Sequence, residues 1–402
     1  MRFLQSLLLP ALLSFANAAP SPQERAAEFE IYDAIIVGGG PAGLSALSGL
    51  ARVRRNVLLL DSGEYRNAPT RHVHDLLGFD GVTPAYYRWA ARQQLSHYET
   101  VTLKNATVTS ITPQLNNTQF SVEATFYGKK NRTKTVTARK IVLATGLHDI
   151  LPNTPGVEEN WGKGIYWCPW CDGHEHADQK LGLLTSLDEV PSMVREILTL
   201  NTDIIAFTNG TDTPEARNAT DVKEGNDWEK YLKLHKVTID NRIITEIKRT
   251  GESAPGDPSL PTAAEFDKFE IDFTTGKPQK REAFFASFPD EQRSAVGENL
   301  GVDLWGGRLR VDPTAGLVTN VPGVYAIGDA NSDNVTNVPH ALFTGKRAAV
   351  YLHVRLERDT AALELANADE EVEKRHALDE RSVWERMNGE RGDILYAGNF
   401  DQ

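Results

Sequence analysis

Cysteine is almost missing from this chain: there are two, Cys168 and Cys171, in 402 residues. Disulfide frameworks belong to small, cysteine-dense secreted domains, so a long chain with a single closely spaced pair is not stapled in that way. A loop of two intervening residues also gives little closure entropy. A structural zinc needs four ligands, and His174 and His176 stand too near the pair in sequence to complete a tetrahedron. The pair reads as redox chemistry, since two sulfurs at this spacing can cycle between dithiol and disulfide and lower one thiol's pKa.

Basic residues are also scarce. Lys and Arg number 43 against 55 Asp and Glu, for a net charge of −12, which excludes the basic surface that nucleic acid or an anionic membrane requires. No apolar run reaches the roughly 20 residues that span a bilayer. The longest candidate, Leu4 to Phe15, is too short; with Arg2 before it and Ala16-Asn17-Ala18 after it, residues 1–18 read as a secretion signal. The mature protein is therefore expected outside the cell. Six Asn-x-Ser/Thr sequons, at Asn105, Asn116, Asn131, Asn209, Asn218 and Asn334, agree with a glycosylated secretory protein.

The ordinary globular balance, 40% hydrophobic and 24% charged, and the length predict about two domains. From residue 357 the composition turns to Glu, Asp, Lys, Arg and Ala. This stretch reads as a solvated helix, an oligomer arm or a removable tail, with Lys374-Arg375 as a dibasic cleavage pair.

What is present begins at Tyr32–Val37, an apolar run that fits a buried parallel strand. It leads into Gly38-Gly39-Gly40-Pro41-Ala42-Gly43 and then a helical pattern through Leu44, Leu47 and Leu50. In this motif Gly38 permits a tight turn, Gly40 lets backbone approach a pyrophosphate, and Gly43 lets helix and strand pack closely. The following helix offers its N-terminus to phosphate. A second apolar strand, Val57 to Leu60, ends in Asp61, placed to accept a ribose hydroxyl, with Ser62 beside it. Two further strands end in small-residue turns, one in Ala144-Thr145-Gly146 and one in Gly328-Asp329-Ala330.

In this order, GGGPAG, ATG, CPWCDG and VYAIGDA resemble the low-molecular-weight thioredoxin reductase family of two-domain flavoproteins, over residues 30–352. The resemblance implies an α/β, two-domain pyridine-nucleotide-disulfide-oxidoreductase-like fold built from FAD/NAD(P)-binding Rossmann-type domains. The FAD domain would comprise 30–150 and 286–356, interrupted by an insert at 151–285 that carries the cysteines, and followed by a charged segment at 357–402. It implies FAD as cofactor, no metal, and a homodimer. Asp329 would hold the ribityl chain, Cys171 would face the flavin, Cys168 would meet substrate, and Asp172 would act as acid and base. Arg66 and Asn67, with His72 and His74 nearby, would line the flavin side, His74 in a structural role. Val338 and His340, at the start of a helix expected from about His340 to Leu352, would face the flavin's pyrimidine edge, His340 as a catalytic group favouring the negative charge that develops there on reduction; the alternative is a capping or surface histidine. Trp167 and Trp170 flank the cysteines, either as a lip over the disulfide or as core.

The second glycine turn that reductases of this family use for NADPH is degenerate. It reads Lys180-Leu181-Gly182-Leu183-Leu184-Thr185-Ser186-Leu187-Asp188-Glu189, with acids where phosphates would sit. The next strand ends in Thr208-Asn209-Gly210-Thr211, without the arginines that clamp a 2′-phosphate, each worth about 1.5–3 kcal/mol as a charge-assisted bond. Electrons are then expected to enter from small thiols and leave to O₂. In this the chain resembles secreted fungal sulfhydryl (glutathione) oxidases and, more distantly, dithiol oxidases of secondary metabolism. An NADPH-dependent reductase and a redox-inert flavoprotein remain the competing readings. Without NADPH the domains are expected to stay locked, with the disulfide held against the flavin.

Overall fold

The computed structural model describes residues 31–253, 260 and 263–367. The 1–18 leader and the dibasic pair lie outside them. Strands β1 (Tyr32–Val37) and β2 (Val57–Asp61) flank helix α1 (Pro41–Ala51). Both strands are almost continuously apolar because both faces are buried, as in any parallel sheet covered on two sides. From β1 the parallel sheet extends on one side through β2 to the Val101–Gln114 strand, and on the other through the Arg132–Leu143 strand to Val324–Ala326. The Gln119–Phe126 strand bridges the far ends of the two long strands in antiparallel register. Leu44, Leu47 and Leu50 of α1 are fully buried or nearly so, as their spacing predicts.

The insert repeats this plan. Five parallel strands run in the order Thr238–Asp240, Ile204–Phe207, Leu181–Leu184, Ala283–Ala286, Ile165–Tyr166, beside a three-stranded antiparallel unit formed by Ile244–Ser253, Phe266–Phe273 and Gln279–Arg281. The chain passes between the two parts along an antiparallel pair, Leu147–Asp149 with Asp290–Gln292. The result is a two-domain α/β fold of the pyridine-nucleotide disulfide oxidoreductase type. Its last helix spans Val338–Asn367 and so runs past the Leu352 end expected from sequence. No Pro or Gly interrupts Leu352 to Asn367, and Ala, Leu, Arg and Glu are strong helix formers. None of the helices among the described residues is long and apolar enough to cross a membrane.

Candidate active site

A cavity of about 680 Å³ is lined by both parts of the fold, within the roughly 300–1,000 Å³ range of cofactor and ligand pockets. The glycine turn forms one wall. A Cβ on Gly38, whose φ is +111°, would lie 2.2 Å from the Ala144 carbonyl oxygen, and one on Gly43 would lie 2.0 Å from that of Gly38. These two glycines are demanded by the fold itself. Gly40 is different: a Cβ there would meet nothing within 4 Å, so the space beside it is open to a ligand. Gly40 is the N-cap of α1 and makes no side-chain cap bond, leaving first-turn N–H groups and the positive dipole end for phosphate.

Acceptors and one orphaned hydroxyl complete this wall. Asp61, 2% exposed, accepts from the N–H groups of Gly39 and Gly63 at 3.2 and 3.1 Å and from the Tyr65 hydroxyl at 2.5 Å, and it pairs with Arg92. Thr145 Oγ1 is buried without a hydrogen-bond partner and lines the cavity. A buried hydroxyl in that state is costly unless a ligand engages it. Arg66 bonds Asp149 at 2.6 Å and Asp329 at 3.2 Å. Burial opposes its charge, but these carboxylates outweigh burial and raise its pKa. Burial in turn raises the Asp329 carboxyl, with Arg66 opposing. The open space at Gly40, the unpartnered Thr145 and the acceptors at Asp61 and Asp329 fit an FAD, with pyrophosphate at the turn.

Cys168 and Cys171 form a disulfide on the opposite wall, both half-buried. The Cys171 N–H donates to Cys168 Sγ at 3.1 Å, a bond that stabilises a thiolate on Cys168 after reduction. Asp172 is 8% exposed and faces the same cavity. Burial first, then the charges of Glu175 and Glu265, push its carboxyl well above the usual range, with Arg71 opposing. The protonated form is thereby favoured.

Behind Asp172 lies an ionic junction between the two parts of the chain. Arg71, from the segment after β2, bonds the Tyr166 hydroxyl at 3.1 Å, Asp267 at 3.0 Å and Glu265. Glu265 also takes His72 at 3.2 Å; although burial works against it, these partners hold its pKa down to about 2. His176, Glu265 and Asp267 come within metal-ligand spacing, but Arg71 and Arg249 neutralise the carboxylates. Arg71 and the junction carboxylates carried no signal in the sequence.

Ser62, Asn67, Pro41, Ala42, Ala144, Gly146, Gly328 and Val338 also line the cavity. Gly43 packs beneath the turn, and His340 stands outside the lining: its Nε2 lies 2.7 Å from Asp333 and its N–H bonds Asn337 Oδ1 at 2.8 Å. The two tryptophans separate. Trp167 stacks on Trp161 at 4.9 Å, whereas Trp170 is 70% exposed.

At the second turn, after Leu181–Leu184, side chains and backbone of the chain engage one another. Thr211 Oγ1 accepts from the Leu187 N–H at 3.1 Å, Ser186 Oγ donates to Asp188 at 2.6 Å, and Lys223 pairs with Asp188 and Glu189. Arg195, the nearest guanidinium in sequence, pairs with Glu224, and Arg217 is held by Asp212 and Glu229. Gly182 lies within the strand, where a Cβ would come 2.4 Å from the Phe284 ring. Packing therefore accounts for the surviving glycine.

Fold and site define a flavoprotein disulfide oxidoreductase. Residues 32–184 match the Pyridine nucleotide-disulphide oxidoreductase family. The chain is 45% identical to a probable thioredoxin reductase of Arthroderma benhamiae over 84% of both proteins. It is 31% identical to thioredoxin reductase aclD of Aspergillus oryzae, over 83% of this chain and 98% of that one. It belongs to this FAD-binding family. Among solved structures, HlmI superposes with a TM-score of 0.69 at 26% identity, over 84% of this chain and 96% of that one. A putative thioredoxin reductase TrxB of Bacillus anthracis shares the fold, with a TM-score of 0.68 at 23% identity, over 82% and 99%.

Proposed function

We propose that this protein is an FAD-dependent thiol oxidase that converts small thiols such as glutathione to disulfides and reduces O₂ to H₂O₂. The observation that carries the reading is the second turn, where Thr211 takes the Leu187 N–H and Lys223 pairs with Asp188 and Glu189. The disulfide meanwhile faces an open cavity. Both features support an entry for electrons through thiols rather than through NADPH.

A substrate thiolate attacks Cys168 Sγ, forming a mixed disulfide as the Cys168–Cys171 bond breaks and the Cys171 sulfur departs. A second thiolate attacks the substrate sulfur of that mixed disulfide, releasing RSSR and leaving Cys168 as a thiolate, which the Cys171 N–H stabilises. Asp172, favoured in its protonated form, hands a proton to the departing Cys171 sulfur and recovers one from the next substrate thiol. With FAD bound, a two-electron acceptor would be available to restore the disulfide and deliver the pair to O₂, so that 2 RSH + O₂ would give RSSR + H₂O₂. Gly40, Thr145, Asp61 and Asp329 would hold the FAD. The proposal includes export, which the exposure of all six sequon asparagines supports. A dithiol oxidase closing a disulfide in one metabolite uses the same steps with both thiols on one molecule.

An oxygen electrode with a peroxide assay tests the proposal. Thiols should drive O₂ uptake with one H₂O₂ per disulfide, and NADPH none; NADPH-driven disulfide reduction would make the protein a reductase instead.

A further inference from the structure

The cavity mouth beside the disulfide is asymmetric in chemistry. Trp170 stands between the two cysteines and is 70% exposed, whereas Trp167, one residue before Cys168, lines the same cavity half-buried with its ring stacked on Trp161. Glu196, exposed near the end of the Val190–Ile197 helix, lines the same cavity. Among the described residues, both guanidinium groups lining that cavity are already paired, Arg66 with Asp149 and Asp329 and Arg293 with Glu64, and the His72 and His74 rings lie against Glu265 and Asp80. A substrate carboxylate entering here finds an acid and no uncommitted cation, so the charge-assisted bonds that would recognise it are missing. An apolar or aromatic substrate finds a large indole face already in water, whose covering is favourable.

Resting on the thiol-oxidase reading, we propose that Trp170 and Glu196 form a selecting rim that favours uncharged or cationic thiols bearing an apolar group and disfavours carboxylate-bearing thiols. Glutathione, with two carboxylates and one ammonium, is then a slower substrate than its size suggests. Trp170 supplies contact area and Glu196 repels anions, both before any bond is made.

The test uses the purified flavoprotein under nitrogen. It follows reduction of Cys168–Cys171 by alkylation and intact mass, so that the readout does not depend on turnover with oxygen. The probes are cysteamine, 2-mercaptoethanol, 3-mercaptopropionate and benzyl mercaptan, compared at equal thiolate concentration to remove differences in thiol pKa. Cysteamine should exceed 3-mercaptopropionate by about threefold or more at low salt, the gap closing at high salt, and Glu196→Gln should narrow it. Benzyl mercaptan should exceed 2-mercaptoethanol by about tenfold; Trp170→Ala should erase that ratio and Trp170→Phe should keep it. Equal rates for all four thiolates, or ratios unmoved by the substitutions, overturn the rim while leaving the oxidase reading intact. A disulfide inert to every thiol, yet reduced by a phosphine, overturns both.

Discussion

Two strand-turn-helix units in this chain begin alike and end differently. After β1 the turn is bare: Gly38 and Gly43 are required by backbone contacts, and Gly40 borders open space that a ligand can fill. After Leu181–Leu184 the turn is furnished with side chains, its Leu187 N–H is taken by Thr211, and its acids are held by Lys223. The glycine it keeps, Gly182, answers to Phe284. The same architecture thus persists around a bare turn and around one furnished with side chains. A glycine signals a ligand only where no protein atom already demands it.

That contrast can be broken at either turn. Gly40→Val should fold, since its φ of −72° suits any residue, but its side chain fills the phosphate path. Flavin affinity should fall about 100-fold or more, read as loss of the yellow chromophore with the apoprotein's far-UV spectrum kept. Ser186→Val at the second turn should leave flavin content unchanged.

Next in size is the junction behind the disulfide. Arg71→Leu leaves Glu265 and Asp267 without their shared partner, and breaking a buried ionic contact costs about 3–5 kcal/mol. The denaturation midpoint should fall accordingly. If the junction holds the two parts together, small-angle scattering should also show new interdomain arrangements; an unchanged profile would count against the expected lock.

Asp172→Asn separates stability from chemistry. Because the folded pKa is raised, the native state keeps a proton that the unfolded chain releases, and stability declines as pH climbs from near the ordinary value of 3.8 through the folded pKa. Asparagine removes that decline. The variant should melt above the parent at pH 8, converge with it below pH 4, and lose about 100-fold or more in thiol turnover.

The smallest effect is expected from Thr211→Val, which removes one hydrogen bond worth about 1 kcal/mol. Thiol turnover should not change; a loss of turnover would place the second turn in the reaction after all.

Much of this arrangement was legible in the sequence because its determinants are local. A strand, three glycines and an acid at the next strand's end specify a turn geometry within a few tens of residues, so Gly38, Gly40, Gly43 and Asp61 could be read directly. The Cys168–Cys171 spacing is local too. The junction was not legible, since Arg71 meets Glu265 and Asp267 across 194 and 196 residues, a pairing that only the packing of the two parts defines. The same holds for His340, whose ring turns to Asp333, and for Glu196, which reaches the cavity because its helix packs in the insert. Trp167 and Trp170 differ by three positions, and only the packing of Trp161 tells them apart.

The most direct test of how electrons enter is anaerobic flavin reduction, following the visible band as either a small dithiol or NADPH is added in slight excess. Bleaching by the dithiol, lost in Cys168→Ser, with no change under NADPH, is the result expected. Bleaching by NADPH in the Cys168→Ser variant would show that a nucleotide reaches the flavin directly, and would contradict the account.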